Sequence, residues 1–129
     1  MKTMCVILAV VLGVTFGFAT PSEDDNNNVN WTKAEQNYIQ ALKSDNNGVK
    51  VSAATYIRKY NLTGAVEELK TLLAKENADN VKMSGALALI SIGGDEGRTA
   101  IEKALATEEN EIVTEFYKSI LNNQVISQR

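Results

Sequence analysis

The chain has 129 residues, a formal net charge of −3, no histidine and one cysteine, with 44% apolar and 22% charged residues. That length suits one domain, and the acidic balance argues against phosphate backbones or anionic membrane surfaces as main partners, so nucleic acid is not expected to bind. Lacking imidazole, the chain cannot build a Ser-His-Asp arrangement, and its single thiol cannot assemble a Cys or His zinc site.

One lysine, Lys2, precedes an apolar and small-residue run over 4–18 that only Thr15 interrupts. This is the layout of a secretory signal peptide over 1–19. Gly17 and Ala19 supply the small residues of a cleavage site after Ala19. About 15 apolar residues fall short of the ~20 that a spanning helix needs, so no stable membrane anchor is expected after cleavage. Cys5 stands at the very start of the apolar run, whereas a lipid-attachment cysteine would follow it. The expectation is an exported protein, periplasmic or secreted, whose mature chain has no cysteine and must be stabilised by packing alone.

Residues 20–31 are acidic and asparagine-rich, with too little apolar surface to offset the entropy of ordering, and read as a flexible linker. Asp24, Asn26, Asn28, Asn30, Thr32 and Glu35 fall at positions 1, 3, 5, 7, 9 and 12 of a calcium loop. The glycine that makes that loop's sharp turn is replaced by Val29, and no helix precedes it, so no metal is expected.

Thr32 and Glu35 form an S/T-x-x-E capping box, which predicts a helix start and opens a helical domain over 32–124. Apolar residues then recur at helical spacing in six blocks, predicting helices over 33–44, 49–60, 65–76, 81–92, 96–106 and 111–122, with a tail at 125–129 and no strand. The intervening asparagines, glycines and aspartates suit left-handed C-caps or side-chain N-caps. The block 81–92 is apolar nearly all round, which predicts burial on both sides in the middle of a stack. Small residues at Ala53, Ala54, Gly85 and Ala86 would let helices approach, with Leu69, Leu73, Ile101 and Leu105 filling the seam between layers.

The stretch 49–54, V-K-V-S-A-A, returns about 32 positions later as V-K-M-S-G-A over 81–86, and the offset carries Ile57 onto Leu89, Leu69 onto Ile101 and Leu73 onto Leu105. A pattern at that period means stacked two-helix units. The run V-K-M-S-G-A-L-A-L-I-S-I-G-G-D-E-G-R-T-A-I-E-K-A-L over 81–105 resembles HEAT repeats, in particular the short bacterial HEAT-like variety of phycobilisome lyases. Residues 49–73 are a weaker copy, with Tyr60-Asn61 at the Ile-Gly corner. Lys50 and Lys82 stand where the family more often has arginine, and the turns lack its proline. The resemblance implies a short right-handed α-solenoid of about six antiparallel helices that binds proteins. It specifies architecture rather than ligand, and the lyase activity of some relatives does not follow from these residues.

Catalytic readings are weak. Glu67-Glu68 and Glu108, Glu109, Glu111 invite a pair of acid and base carboxylates, but adjacent helical residues diverge and acids at a helix start suit its dipole. Ser84 and Lys82, two apart on a helix, do not face one another. No catalytic residue and no cofactor are expected. Asn30-Trp31-Thr32 and Asn61-Leu62-Thr63 match the N-x-S/T acceptor rule, which matters only in a glycosylating pathway.

If the second helices line a concave surface, Glu67, Thr71, Thr99 and Lys103 form the preferred face for a protein partner of unknown identity. The expected function is therefore a non-enzymatic binding or scaffolding module. The alternatives are a self-associating envelope protein whose terminal helices, through Phe116 and Leu121, meet a second copy, and an accessory of a lyase-type enzyme.

Overall fold

The computed structural model describes residues 29–127, with side chains through residue 123. The expected signal peptide, its cleavage site and the linker as far as residue 28 lie outside the described residues. Among those described there are six α-helices and no strand, as the helical spacing predicts: α1 (Trp31–Ala41), α2 (Asn47–Lys59), α3 (Val66–Lys75), α4 (Asp79–Ile92), α5 (Gly94–Thr107) and α6 (Glu111–Ser127), with a 3-10 turn at Thr63–Ala65 leading into α3. The last helix runs past its expected end at 122 and into the segment expected as a tail.

Several helix boundaries have a local cause. Asn46 caps α2 by accepting from the Val49 N–H at 3.2 Å. That helix ends in a Schellman motif. Asn61 takes the left-handed conformation (φ 52°), the Leu62 N–H donates to the Ile57 carbonyl at 2.9 Å, and the Asn61 N–H donates to Arg58 at 3.2 Å. Leu62, at the position whose side chain folds back on the helix, is buried. Asn110 caps α6, its Oδ1 accepting from Ile112 and Val113.

The capping box expected at the first helix does not form. Thr32 lies inside α1, which starts at Trp31, and the Glu35 carboxylate accepts from the Gly64 N–H at 3.2 Å. A tertiary partner has displaced the local one. A Cβ at Gly64 would overlap that carboxylate, so glycine holds the approach open.

α4 neighbours α2, α3, α5 and α6, the central place that its all-round apolar pattern predicts. Val81, Gly85, Ala86, Ala88, Leu89 and Ile90 are buried, while Leu87 is half-buried. Ala53, Ala54, Leu69, Leu73 and Ile101 are buried with them, and Leu105 packs at the core's edge. The small residues act as expected: a Cβ on Gly85 would stand 3.0 Å from Leu72 Cδ2, so the Leu72 side chain fills the missing volume. The junction of α4 and α5 is tighter still. Gly97 lies so close to the Leu89 carbonyl that a side chain there would collide with backbone.

Candidate functional site

α3 and α5 are neighbours, and between them lies a groove of about 790 Å³. Its apolar lining is Leu73, Ala74, Ala100 and Ala104, and its charged lining comes from Lys70, Asp79, Lys82, Glu96, Lys103 and the turn residues Glu76, Glu108 and Glu109, with Asn110 beside them.

Most of those charges are committed. Lys82, in the first turn of α4, reaches the Glu108 carboxylate beyond the end of α5 at 3.0 Å, with side-chain exposures of 16% and 7%. Lys50 does the same to Glu76 beyond α3, at 2.6 Å. The two pairs are related by the same 32-residue offset as the helices. Each carboxylate also serves the helix that follows: Glu76 Oε1 accepts from the Asn77 and Ala78 N–H groups, and Glu108 Oε1 from the Asn110 N–H. One carboxylate thus anchors the preceding turn to a lysine and organises the entry to the next helix.

The titration of these groups follows from that geometry. Burial pushes the Glu76 carboxyl up, but the Lys50 ammonium and two backbone N–H groups outweigh it and hold it below the ordinary carboxylate range. The Asn110 N–H, aided by Lys82 against burial, likewise holds Glu108 low. At the other end of α5, Lys70 bridges Glu96 at 2.5 Å and Glu67 at 3.0 Å, raising its own pKa and lowering that of Glu96. A further bond, from Asn110 Nδ2 to Asp79 Oδ2 at 2.7 Å, ties the α6 cap to the first turn of α4.

Of the four residues expected on the contact face, Thr99 and Lys103 line the groove. Glu67 and Thr71 are exposed on α3 outside its lining, and Glu67 touches the groove only through Lys70. Both threonine hydroxyls are spent on their own helices, Thr71 donating to the Glu67 carbonyl and Thr99 to that of Asp95. Lys103 is exposed and makes no ion pair among the described residues, which leaves its ammonium available to a ligand. The face expected from sequence left out Lys82, Glu96, Glu108 and Asn110, although the offset linking Lys50 to Lys82 also links Glu76 to Glu108 and could have found the pair.

The remaining candidates resolve simply. Glu67, Glu68 and Glu111 sit in the first turns of their helices, where the dipole favours them. Lys82 is engaged by Glu108 rather than poised beside Ser84. Of the calcium-loop positions, Asp24, Asn26 and Asn28 lie outside the described residues, and Glu35 is bonded to Gly64. Among the described residues no cluster of three His, Cys, Asp or Glu could hold a metal, and no helix is long and apolar enough to cross a membrane. Leu121, expected on an exposed face for self-association, is buried, and its carbonyl accepts from Arg98 Nη1 at 3.1 Å. Phe116 is half-buried against the core.

Comparison of the chain with protein-family models, with curated proteins and with solved structures gives no match.

Proposed function

We propose that this is an exported, non-enzymatic HEAT-like repeat protein that binds a segment of a protein partner in the groove between α3 and α5. In this reading α2–α3 and α4–α5 are two full repeats of a short right-handed α-solenoid of antiparallel helices. α1 precedes them as an odd second helix, and α6 opens a third unit. The succession of neighbours α2, α4, α6 on one side and α3, α5 on the other supports it. So does the ion pair that recurs at the repeat offset.

The observation that carries the binding role is the groove itself. Its apolar floor can bury aliphatic side chains at roughly 25 cal/mol per Å², and Lys103 offers an uncommitted cation to a carboxylate of the partner. Catalysis is disfavoured by how the acids are used. Glu76, Glu96 and Glu108 are all held ionised by their partners, whereas a general acid needs its pKa pushed up toward the working pH.

A photo-crosslinking side chain installed at Thr99 or Lys103 in exporting cells tests this. The expected result is a discrete covalent adduct with a protein partner, absent when the crosslinker sits at Lys118 and lost when Ala104→Glu places charge on the floor. Equal adducts from Lys118 and Thr99, or none from the groove, refute the assignment.

A further inference from the structure

Ion pairs consume most of the charge around the groove between α3 and α5, and what they leave over has a pattern. Glu76 and Glu108 are answered by Lys50 and Lys82. Lys70 answers two carboxylates at once, Glu67 at 3.0 Å and Glu96 at 2.5 Å, so the end of the groove at the start of α5 keeps one negative charge in excess. At the turn end Glu109 is exposed and makes no ion pair among the described residues. Exposed Asp79 beside it bonds to the neutral amide of Asn110, at 2.7 Å, and to no cation among the described residues. Between the two ends stands the uncommitted ammonium of Lys103.

Along the groove the surplus therefore reads negative, positive, negative, and helix geometry sets its spacing. Glu96, Thr99, Ala100, Lys103, Ala104 and Thr107 occupy one stripe of α5. With a rise of ~1.5 Å per residue, Lys103 lies about 10 Å along the axis from Glu96, and the turn that carries Glu109 begins roughly 8 Å further on. A polyproline-II segment advances ~3.1 Å per residue and returns to the same side every third residue, about 9 Å on. Every third side chain of such a segment would therefore meet one of the groove's three points of surplus charge. Between them the floor is Leu73, Ala74, Ala100 and Ala104, which suits small apolar residues.

We propose that the groove's occupant is an extended segment of a partner protein with the charge order basic-x-x-acidic-x-x-basic, an inference that rests on the reading of the groove as a protein-binding site. The segment's carboxylate pairs with Lys103, one of its cations sits between Glu67 and Glu96, and the other meets Asp79 and Glu109. A uniformly acidic segment would face unanswered carboxylates at both ends, and a uniformly basic one would face Lys103 in the middle, so the groove selects for charge order as well as charge sign. A second copy of this chain does not supply the occupant, because none of its lysines or arginines has Asp or Glu three residues further on.

Fluorescence anisotropy of labelled, end-blocked peptides titrated with the purified protein tests this. The probe K-P-P-E-P-P-K, held extended by its prolines, is expected to bind about tenfold or more tightly than its charge inverse E-P-P-K-P-P-E, and more tightly than spermine, a polycation of similar reach with no carboxylate. Lys103→Glu is expected to weaken K-P-P-E-P-P-K by about tenfold or more and to turn the preference toward K-P-P-K-P-P-K. Glu109→Lys is expected to weaken the same probe by about threefold or more. Both side chains are exposed, and circular dichroism establishes that the variants keep wild-type helicity. No binding of K-P-P-E-P-P-K at millimolar protein, equal binding of its charge inverse or of spermine, or indifference to Lys103→Glu overturns the proposal. The photo-crosslink at Thr99 separates this failure from that of the groove assignment: an adduct whose crosslinked segment lacks the charge order overturns this inference and leaves the groove assignment standing.

Discussion

Replacing Lys82 by methionine deletes one ammonium while keeping the aliphatic stem that packs beside Glu108. The Glu108 side chain is only 7% exposed, and after the substitution it keeps the Asn110 N–H but loses both contacts from the Lys82 ammonium, at 3.0 and 3.2 Å. Removing one member of a fully buried ion pair costs roughly 3–5 kcal/mol. The surviving backbone donor and the residual water access reduce this to about 2–3 kcal/mol. For a helical unit of about 100 residues that lowers Tm by roughly 10–20 °C. The pH dependence supplies a second check. Glu108 has a folded pKa below its ordinary value, so its contribution is fully present above the unfolded carboxylate range and is lost as pH falls through the folded pKa. The gap between wild type and Lys82→Met should therefore be wide near neutrality and should close on acidification below about pH 4. Thermal melts monitored by circular dichroism across that range decide the matter. A Tm within a degree or two of wild type, or a gap that does not depend on pH, would refute the claim that this buried pair clamps α4 to the turn after α5.

Three further substitutions probe the packing. Gly97→Ala gains about 1 kcal/mol of intrinsic helix propensity, yet its Cβ meets the Leu89 carbonyl; denaturant unfolding should show net destabilisation of about 1–3 kcal/mol. Asn110→Ala removes the α6 cap together with the bond to Asp79, for a loss of about 1–2 kcal/mol in the same assay. Tyr117 is fully buried and its hydroxyl has no hydrogen-bond partner among the described residues; burial, with the nearby Glu108 and Asp79 charges, pushes its pKa above the ordinary phenol value. Tyr117→Phe should be neutral or stabilising by up to about 1 kcal/mol, and a clear destabilisation would show that the hydroxyl is satisfied.

The helices were legible because their signals are local or periodic. Val81, Ala88 and Leu89 repeat on a helical spacing, Asn61 and Asn110 are the residue types that helix ends require, and Val49 to Ala54 announces Val81 to Ala86. What escaped was tertiary competition. Thr32 and Glu35 have the right spacing for a capping box, but the Gly64 N–H, 29 residues on, takes the carboxylate instead. Lys82 and Glu108 stand 26 residues apart, outside any helical spacing rule, and only the repeat offset connects them to Lys50 and Glu76. Two of the groove's lining residues followed from i, i+4 geometry, since Thr99 and Lys103 lie one turn apart on α5. Others, Glu76 and Glu108 among them, lie in the turns after α3 and α5, where periodicity says nothing about which way a side chain reaches.

The two ends of the groove are held by ion pairs of unequal burial, a bridge from α3 to α5 at one end and a pair from α4 to the turn after α5 at the other, and this makes the groove's rigidity testable. Around Glu96 the fastening is Lys70, whose partners are more than half exposed; such pairs contribute about 0.2–1 kcal/mol and weaken as added salt shortens the Debye length from ~10 Å at 0.1 M toward ~3 Å at 1 M. Around Glu108 the fastening is a largely buried pair plus a backbone donor, which salt screens much less. High salt should therefore speed amide exchange in the second turn of α5 by about two- to fivefold, matching the loss of a fraction of a kcal/mol, while the first turn of α6 exchanges unchanged. Equal acceleration at both ends would mean that the buried pair is no anchor, and no acceleration at either would mean that Lys70 contributes nothing to holding the groove's open end. The expected asymmetry would leave the turn end of the groove preorganised, with little ordering cost on binding, and the Glu96 end free to adjust to the occupant.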